Sequence, residues 1–538
     1  MKRLLYSIAM VLLTLGPGCD DEETAATDLA VDVKDAARPD APQPDLSPDL
    51  TPDITPDKTI NPDTGHLWLR AGAATVDITP TAKGVPLAGY GSAPRRDIAN
   101  LATIPARVAA ALGACYDPTP GTVASLFAPN KGKHDPITAR ALVLSNGKTK
   151  AAIIKVDTIG VSRRFRDDVE AEAKKLGIPK ENLILAATHT HGGPGAVSDQ
   201  KIWEIIAADC FHKTTYTAML QGVVKSLKTA HANLTPARVG ISSGSEKTVT
   251  KNRMIKGGKI DPELGLIKVV DYYTGKPIAA LLNFAIHGTC LGASNMQFTA
   301  DVMGYIEGAV EKKLGGGVAI FTNGAEGDIA PSQGGYTGAA KIGAVLGETT
   351  AKLWKKTTTK KWIEIAGAYS DVKFPSPTFN GCMPLFGTKT TICDLLPNVK
   401  IPLSAFMQSK LPFGALRLDD VVLSTIPGEA IADVGLAVKA EGKKKGFRHT
   451  FVVGLANDYM GYIVSEKYYN LGEYESQATM YGKNTSTHVI QACEKHLKLV
   501  QPSTVKPLDG GSLPVEGGTA PNDAAADKAK AKDAGVKG

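Results

Sequence analysis

No Cys-x-x-Cys pair occurs in the 538 residues, and the chain holds only seven cysteines. A thiolate-based metal site therefore has little to build on. The net charge is a mild +7, and no lysine-rich stretch is interleaved with aromatics. Nucleic-acid binding has no support on that ground, and no nucleic-acid partner is expected. The apolar run at the N-terminus, Leu4–Leu15, is too short for the roughly 20 residues that span a bilayer. No repeat of solenoid length is visible. Histidine is also scarce, ten in all, so a pair of them set close together needs explaining.

The ends of the chain differ in composition from its middle. Basic Met1-Lys2-Arg3, the apolar run and "GPGCD" form an export signal. Cys19 suits lipidation, although Gly16 stands where an aliphatic residue is usual; simple cleavage nearby is the alternative. From Asp20 to Gly65 the chain repeats Pro-Asp, as in "SPDLTPDITPDK". Proline removes donors and fixes φ, and the aspartates repel one another, so this is read as an extended linker. Residues 508–538 are poor in apolar side chains and are expected to be a disordered tail. The folded domain is then 66–507, of an exported protein that is either a cell-envelope lipoprotein or secreted. A lipid anchor would bring it to a membrane surface. Six cysteines remain after Cys19; Cys382 and Cys393 are the expected disulfide pair, and Cys290 is a candidate buried thiol.

Within the domain one pattern recurs: an apolar strand-like run, then polar residues, often followed by a helix. "AAIIKVDTIG" ends near Asp157, and Ser162–Leu176 follows as a helix stopped by Gly177. "NLILAATHTH", "AALLNFAIHGTC", "GVAIFTNGAEGD", "DVVLSTIPGEA" and "TFVVGLANDYMGY" repeat the pattern. Strands alternating with helices predict an α/β fold with mixed, largely parallel central sheets flanked by helices. Ligands in such sheets bind beyond the carboxyl ends of the strands. That edge collects His189, His191, His287, Asp328, Glu429 and Tyr462.

"ATHTHGGPG" places His189 and His191 two apart. In extended backbone both would face one side, and Gly192-Gly193 would let the chain turn closely. One imidazole can bind a metal while the other handles a proton. His189, His287 and Glu429 make a three-ligand set that suits Zn2+ with one position open for water, and Tyr462 could add a phenolic oxygen. Glu429 has a second reading, as a carboxylate at a helix N-terminus. "GISSG", Gly240–Gly244, fits the Gly-x-Ser-x-Gly elbow, but no apolar helical stripe follows; it reads as strand and turn. Asp157, Asp301 and Asp328 have no ligand spacing and read as structural or as supports of the ligands.

Several segments together resemble one family, the neutral (non-lysosomal) ceramidases, in their N-terminal catalytic domain. They are "AGAATVDITPTAKGVPLAGYG", "KHDPITARALVL", "ATHTHGGPG", "NRMIK", "NFAIHGTC" with "FTADVMGY", "NGAEGDIAPS", "IPGEAI", "GLANDYMGYIVSEKYY" and "EYESQATMYG", in the family's order. The resemblance implies a mixed α/β domain and a zinc-dependent hydrolase that cleaves a lipid-like acyl amide with metal-activated water. It implies His189, His287, Glu429 and Tyr462 as zinc ligands, with Tyr462 rather than Tyr459 as the ligand tyrosine. His191 resembles the proton-handling histidine; Arg253 and Tyr474 match groups around the scissile amide.

The chain also departs from the family. Gly192 stands where the family often has serine. "GDIAP" puts Ala330 where the family has a serine once proposed as nucleophile, and an alanine methyl attacks nothing. Asp97–Gly132 reads as an insertion of the kind that sits near site entrances. No C-terminal immunoglobulin-like domain is expected. Two alternatives stay open: a metal-dependent amidase or esterase for another acyl substrate, and a non-catalytic surface lipoprotein that keeps the fold.

Overall fold

The computed structural model describes residues 69–91, 94–95, 123–124, 126–380, 400–470 and 474–502. The export signal, Cys19, the Pro-Asp linker, the tail and the Cys382–Cys393 pair lie outside the described residues, as does most of Asp97–Gly132. Among the described residues no helix is long and apolar enough to cross a membrane.

Eight strands form the larger sheet: β1 (Arg70–Asp77), β2 (Thr138–Ser145), β3 (Lys150–Val156), β4 (Leu183–Ala187), β5 (Thr235–Ser245), β6 (Glu263–Asp271), β7 (Pro277–Phe284) and β8 (Val318–Asn323). Their spatial order is β4-β3-β2-β1-β5-β6-β7-β8. A second sheet holds β9 (Ile365–Lys373), β10 (Lys410–Leu418), β11 (Val421–Thr425) and β12 (His449–Val453), in that order. The sheets are mixed. β3–β4, β7–β8 and β11–β12 are parallel. The remaining neighbours, among them β1–β2, β2–β3, β5–β6 and β9–β10, are antiparallel. The parallel pairs are those in which one strand is followed by a covering helix, which is the pattern the sequence carries. Tight hairpins link β2–β3, β6–β7 and β10–β11, and longer connections bring the other antiparallel neighbours together.

Side-chain alternation divides the core into layers. In β2, Leu142 and Leu144 face the second sheet, while Ala141 and Val143 face helices. In β12, Phe451 and Val453 point between the sheets and Val452 points outward. The inter-sheet core joins Ile153, Ile267, Leu281 and Ile320 to Leu416, Val421, Leu423 and Phe451. The sheets approach closely there: a Cβ on Gly265 would lie 2.6 Å from the Phe451 ring. Helices α1 (Arg163–Lys175) and α2 (Lys213–Ala232) cover one half of the large sheet's outer face; α3 (Asp301–Leu314) and α4 (Gly335–Lys356) cover the other. On the second sheet, α5 (Ala432–Lys444) and α6 (Thr485–Leu499) do the same. The result is a helix–sheet–sheet–helix stack. Helix α1 has the ends its sequence predicts: the Ser162 side chain caps the N–H of Phe165, and Gly177 follows the last turn at φ 72°.

The segment after β12 joins the two far edges of the large sheet. Gly454 donates its N–H to Asn323 at the end of β8, while Ala187 donates to Leu455 and Asn457 to Leu185 on β4. The Asn323 side chain completes the link, donating to the carbonyls of Thr188 and Ile286 and accepting from the N–H of Ile286. These bonds bring the carboxyl ends of β4, β7, β8 and β12 to one place.

Candidate metal centre

His189 follows β4, His287 follows β7, and Glu429 and Tyr462 pair with each other in a short parallel ladder beyond β11 and β12. His189 and His287 each place Nδ1 on a backbone carbonyl, Ile159 at 2.7 Å and Glu326 at 3.2 Å. A carbonyl only accepts, so Nδ1 carries the hydrogen and Nε2 keeps a lone pair. The two Nε2 atoms then stand 3.1 Å apart, with Glu429 Oε2 at 3.2 Å from one and 3.6 Å from the other. Lone pairs and a carboxylate oxygen do not gather this closely without something positive to share. Ligands about 2.0–2.2 Å from a common tetrahedral cation stand roughly 3.3–3.6 Å from one another, so these donors fit a divalent ion.

The electrostatics agree. Burial, reinforced by nearby cationic groups, holds the His287 and His191 imidazoles well below their usual range, hence neutral. Burial opposes ionisation of Glu429, but the adjacent His189 imidazole and the hydroxyls of Tyr459 and Tyr462 outweigh it and keep its carboxyl low. Tyr459 donates its hydroxyl to Glu429 Oε1. The Tyr462 hydroxyl accepts from Arg253 at 2.8 Å. Both tyrosines of the pair therefore serve this centre, although the sequence reading gave weight to one. Glu429 is on a strand, and the reading of it as a helix-terminal carboxylate fails. Helix α5 begins at Ala432, whose N–H goes to Asp328 at 2.8 Å.

The two histidines of "HTH" meet by a different route from the one expected. His189 is not extended: its φ is 66°, and β4 has already ended at Ala187. The same-side rule for strands does not apply there. The backbone is instead held by His189 N–H to Thr158 and His191 N–H to Gly288. The rings still lie 5.0 Å apart and nearly perpendicular. Neither nitrogen of His191 has a hydrogen-bond partner. Its ring packs against Tyr90, with 4.4 Å between centroids, and Arg95 grips its carbonyl. Gly89 leaves room for it, since a Cβ there would lie 2.5 Å from Nδ1.

The tight glycine turn has a specific cause. A Cβ on Gly192 would stand 2.4 Å from Thr299 Cγ2 and 2.7 Å from its carbonyl oxygen. Gly192→Ser is therefore expected to destabilise the protein by about 1–3 kcal/mol, read as a lower urea midpoint at unchanged slope. An unchanged midpoint would show that Thr299 yields freely.

Arg253 reaches the centre from the other side. It donates to Tyr462, to the Gly327 carbonyl at 2.8 Å and to Glu475 at 2.9 Å. Tyr474 stacks edge-on to Tyr462 at 5.6 Å and is 51% exposed, so it marks an opening to solvent. All seven sequence-named residues thus share one neighbourhood. Asp328 turns away to Asn252 and Ala432. Asp157 binds Lys155, Thr138 and Thr188, and Asp301 takes the N–H groups of Cys290 and Leu291. These three aspartates hold backbone and neighbours, as their spacing suggested. Cys290 is a free, buried thiol. Ser242 of "GISSG" lies in β5 with Thr357 as partner. Ala330 sits in a short antiparallel ribbon opposite Lys251. Lys131, from the end of the inserted segment, lines an open cavity with Leu291 and Asn295, and Tyr90 links that cavity to His191 through its hydroxyl on the Leu291 carbonyl.

Sequence reasoning passed over Glu326. It is wholly buried, and its carboxylate lies within 4.8 Å of the donor atoms of His189 and Glu429. Burial and the charge on Glu429 push its carboxyl well above the usual range. The only signal was an acidic residue in "NGAEGD", directly after an apolar strand.

Residues 123–342 match the family model described as neutral/alkaline non-lysosomal ceramidase, N-terminal. The neutral ceramidase of Pseudomonas aeruginosa is 24% identical over 447 residues, covering 66% of each chain. That of Mycobacterium tuberculosis is 22% identical over 394 residues, 56% of this chain and 61% of the relative. The chain thus aligns with just under two thirds of the length of these curated relatives. The crystal structure of the P. aeruginosa neutral ceramidase superposes with a TM-score of 0.65 at 21% identity, over 81% of this chain and 74% of that one. That likeness establishes the shared fold. Residues 123–342 are thus similar to the N-terminal domain of the neutral/alkaline non-lysosomal ceramidases, and the curated relatives and the shared fold point the same way.

Proposed function

We propose that this protein is an exported, zinc-dependent amide hydrolase that cleaves an N-acyl, ceramide-like lipid to a fatty acid and an amine. The observation that carries the reading is the convergence of His189 Nε2, His287 Nε2 and Glu429 Oε2 within 3.1–3.6 Å of one another. Tyr462, paired with Glu429 in the ladder, would be the fourth ligand. A bound divalent cation supplies Lewis acidity to the acyl carbonyl and lowers the pKa of a water.

The chain's own groups do the rest. Arg253 holds a fixed positive charge beside Tyr462, where the carbonyl oxygen gains negative charge. Tyr474 offers a hydroxyl at the open rim. His191, neutral and free of other hydrogen bonds, takes the proton of the attacking water and gives it to the amine nitrogen as the C–N bond breaks. This scheme needs no side-chain nucleophile, so Ala330 is compatible with it.

Export and a lipid anchor at Cys19 belong to the same reading. The disulfide at Cys210 supports an oxidising compartment. Cleavage of a fluorescent ceramide should disappear after chelation and return with zinc. Turnover that survives complete metal removal would refute the mechanism. Cleavage of other acyl amides or esters, with ceramide untouched, would leave the metal chemistry and replace the substrate.

A further inference from the structure

Glu326 has no role in the scheme above, yet its surroundings are unusual. Its exposure is 0%, and neither carboxylate oxygen has a hydrogen-bond partner. An ionised carboxylate in that position loses its hydration without recovering hydrogen bonds, which costs several kcal/mol, roughly, unless a cation compensates. Its carboxylate lies within 4.8 Å of donor atoms of His189 and Glu429. Both are acceptors once His189 Nδ1 has its hydrogen on the Ile159 carbonyl. A carboxylate among acceptors has only a proton or a metal ion to share with them. Its backbone is fixed in place as well: its carbonyl accepts from His287 Nδ1, so the residue that orients one imidazole also presents a carboxylate to the same centre. On the far side, Gly454 leaves space where a Cβ would stand 2.9 Å from Oε2.

We propose that Glu326 is itself a metal ligand, binding the same divalent cation as His189, His287 and Glu429. The inference rests on the metal-hydrolase reading and adds a second carboxylate to it. Two imidazoles with two carboxylates balance the charge of a divalent ion. They form a nitrogen–oxygen donor set suited to zinc, iron(II) or manganese(II) rather than to softer ions. Glu326 would raise the number of protein ligands above the four that the family resemblance implies, and five-coordinate zinc is within its range.

The test compares full-length wild-type protein with Glu326→Gln, which keeps the shape and mimics a protonated acid. Zinc affinity is measured by competition with a chromophoric chelator, and the visible bands of the cobalt(II)-loaded proteins are recorded. The expected result is zinc affinity weakened by more than about tenfold, the scale set by losing even a group that supports a ligand, together with displaced cobalt bands. Affinity within tenfold of wild type, or unchanged cobalt bands, overturns the proposal. Glu326 is then a protonated partner of Glu429, and the remaining ligand set stands. Wild-type protein that binds neither ion sinks the metal-hydrolase reading itself. Circular dichroism checks folding. Should Glu326→Gln fail to fold, Glu326→Asp keeps the charge at shorter reach and is expected to show the same weakening; wild-type affinity in that variant counts against ligation.

Discussion

Replacing His189 by alanine is expected to leave the purified protein without bound metal and to lower amide hydrolysis by at least about a thousandfold, a loss of roughly 4 kcal/mol of barrier reduction. His189 is singled out because its Nε2 lies closest to both other donors, 3.1 Å from His287 and 3.2 Å from Glu429. Removing it takes away the imidazole that lies between His287 and Glu429 and leaves the remaining donors facing a gap. The fold should survive, since the backbone N–H to Thr158 does not depend on the ring. Alanine tolerates a φ of 66° less well than histidine, so the variant carries a small added backbone strain, and circular dichroism is recorded to confirm that it folds. Elemental analysis with a ceramide assay reads both effects. Full metal content with turnover within tenfold of wild type would remove His189 from the centre.

His191→Ala should give a contrasting result: metal content retained, and kcat lowered by about 10²–10⁴ with little change in KM. The reasoning is geometric. His191 shares the neighbourhood, 5.5 Å between its ring centre and that of His287, yet both its nitrogens lack partners. His189 and His287 each have Nδ1 tied to a carbonyl, which holds them as ligands are held. An imidazole free at both nitrogens can take a proton on one side and release it on the other. Its backbone stays anchored through Gly288 and Arg95, so the variant removes the ring alone. If His191→Ala lost metal while His189→Ala kept it, the two roles would have to be exchanged.

Much of this was legible along the chain because local physics sets it. Ser162 and Gly177 mark the ends of α1 through capping and left-handed backbone, which need no distant partner. Apolar runs end where polar side chains begin, so His189, His287 and Glu429 stood out at strand ends, whereas the choice of Tyr462 over Tyr459 came from the family resemblance. The same reasoning misjudged how His189 and His191 meet. It assumed extended backbone, whereas contacts with Thr158 and Gly288, remote in sequence, turn the chain at His189.

The amino-acid sequence by itself determined the elements, their capped ends and the donor types at their carboxyl termini, because propensity, periodicity and chemistry act over a few residues. Only the tertiary structure decided which donors meet. The link from β4 to β8 through Gly454–Asn457 and Asn323 draws opposite sheet edges together, and no local pattern encodes that closure. It also decided that Asp328 caps a helix, that Tyr459 joins Tyr462 at Glu429, and that Glu326 lies buried without a hydrogen-bond partner. Burial and pairing are properties of the neighbours, and those neighbours come from segments far apart along the chain.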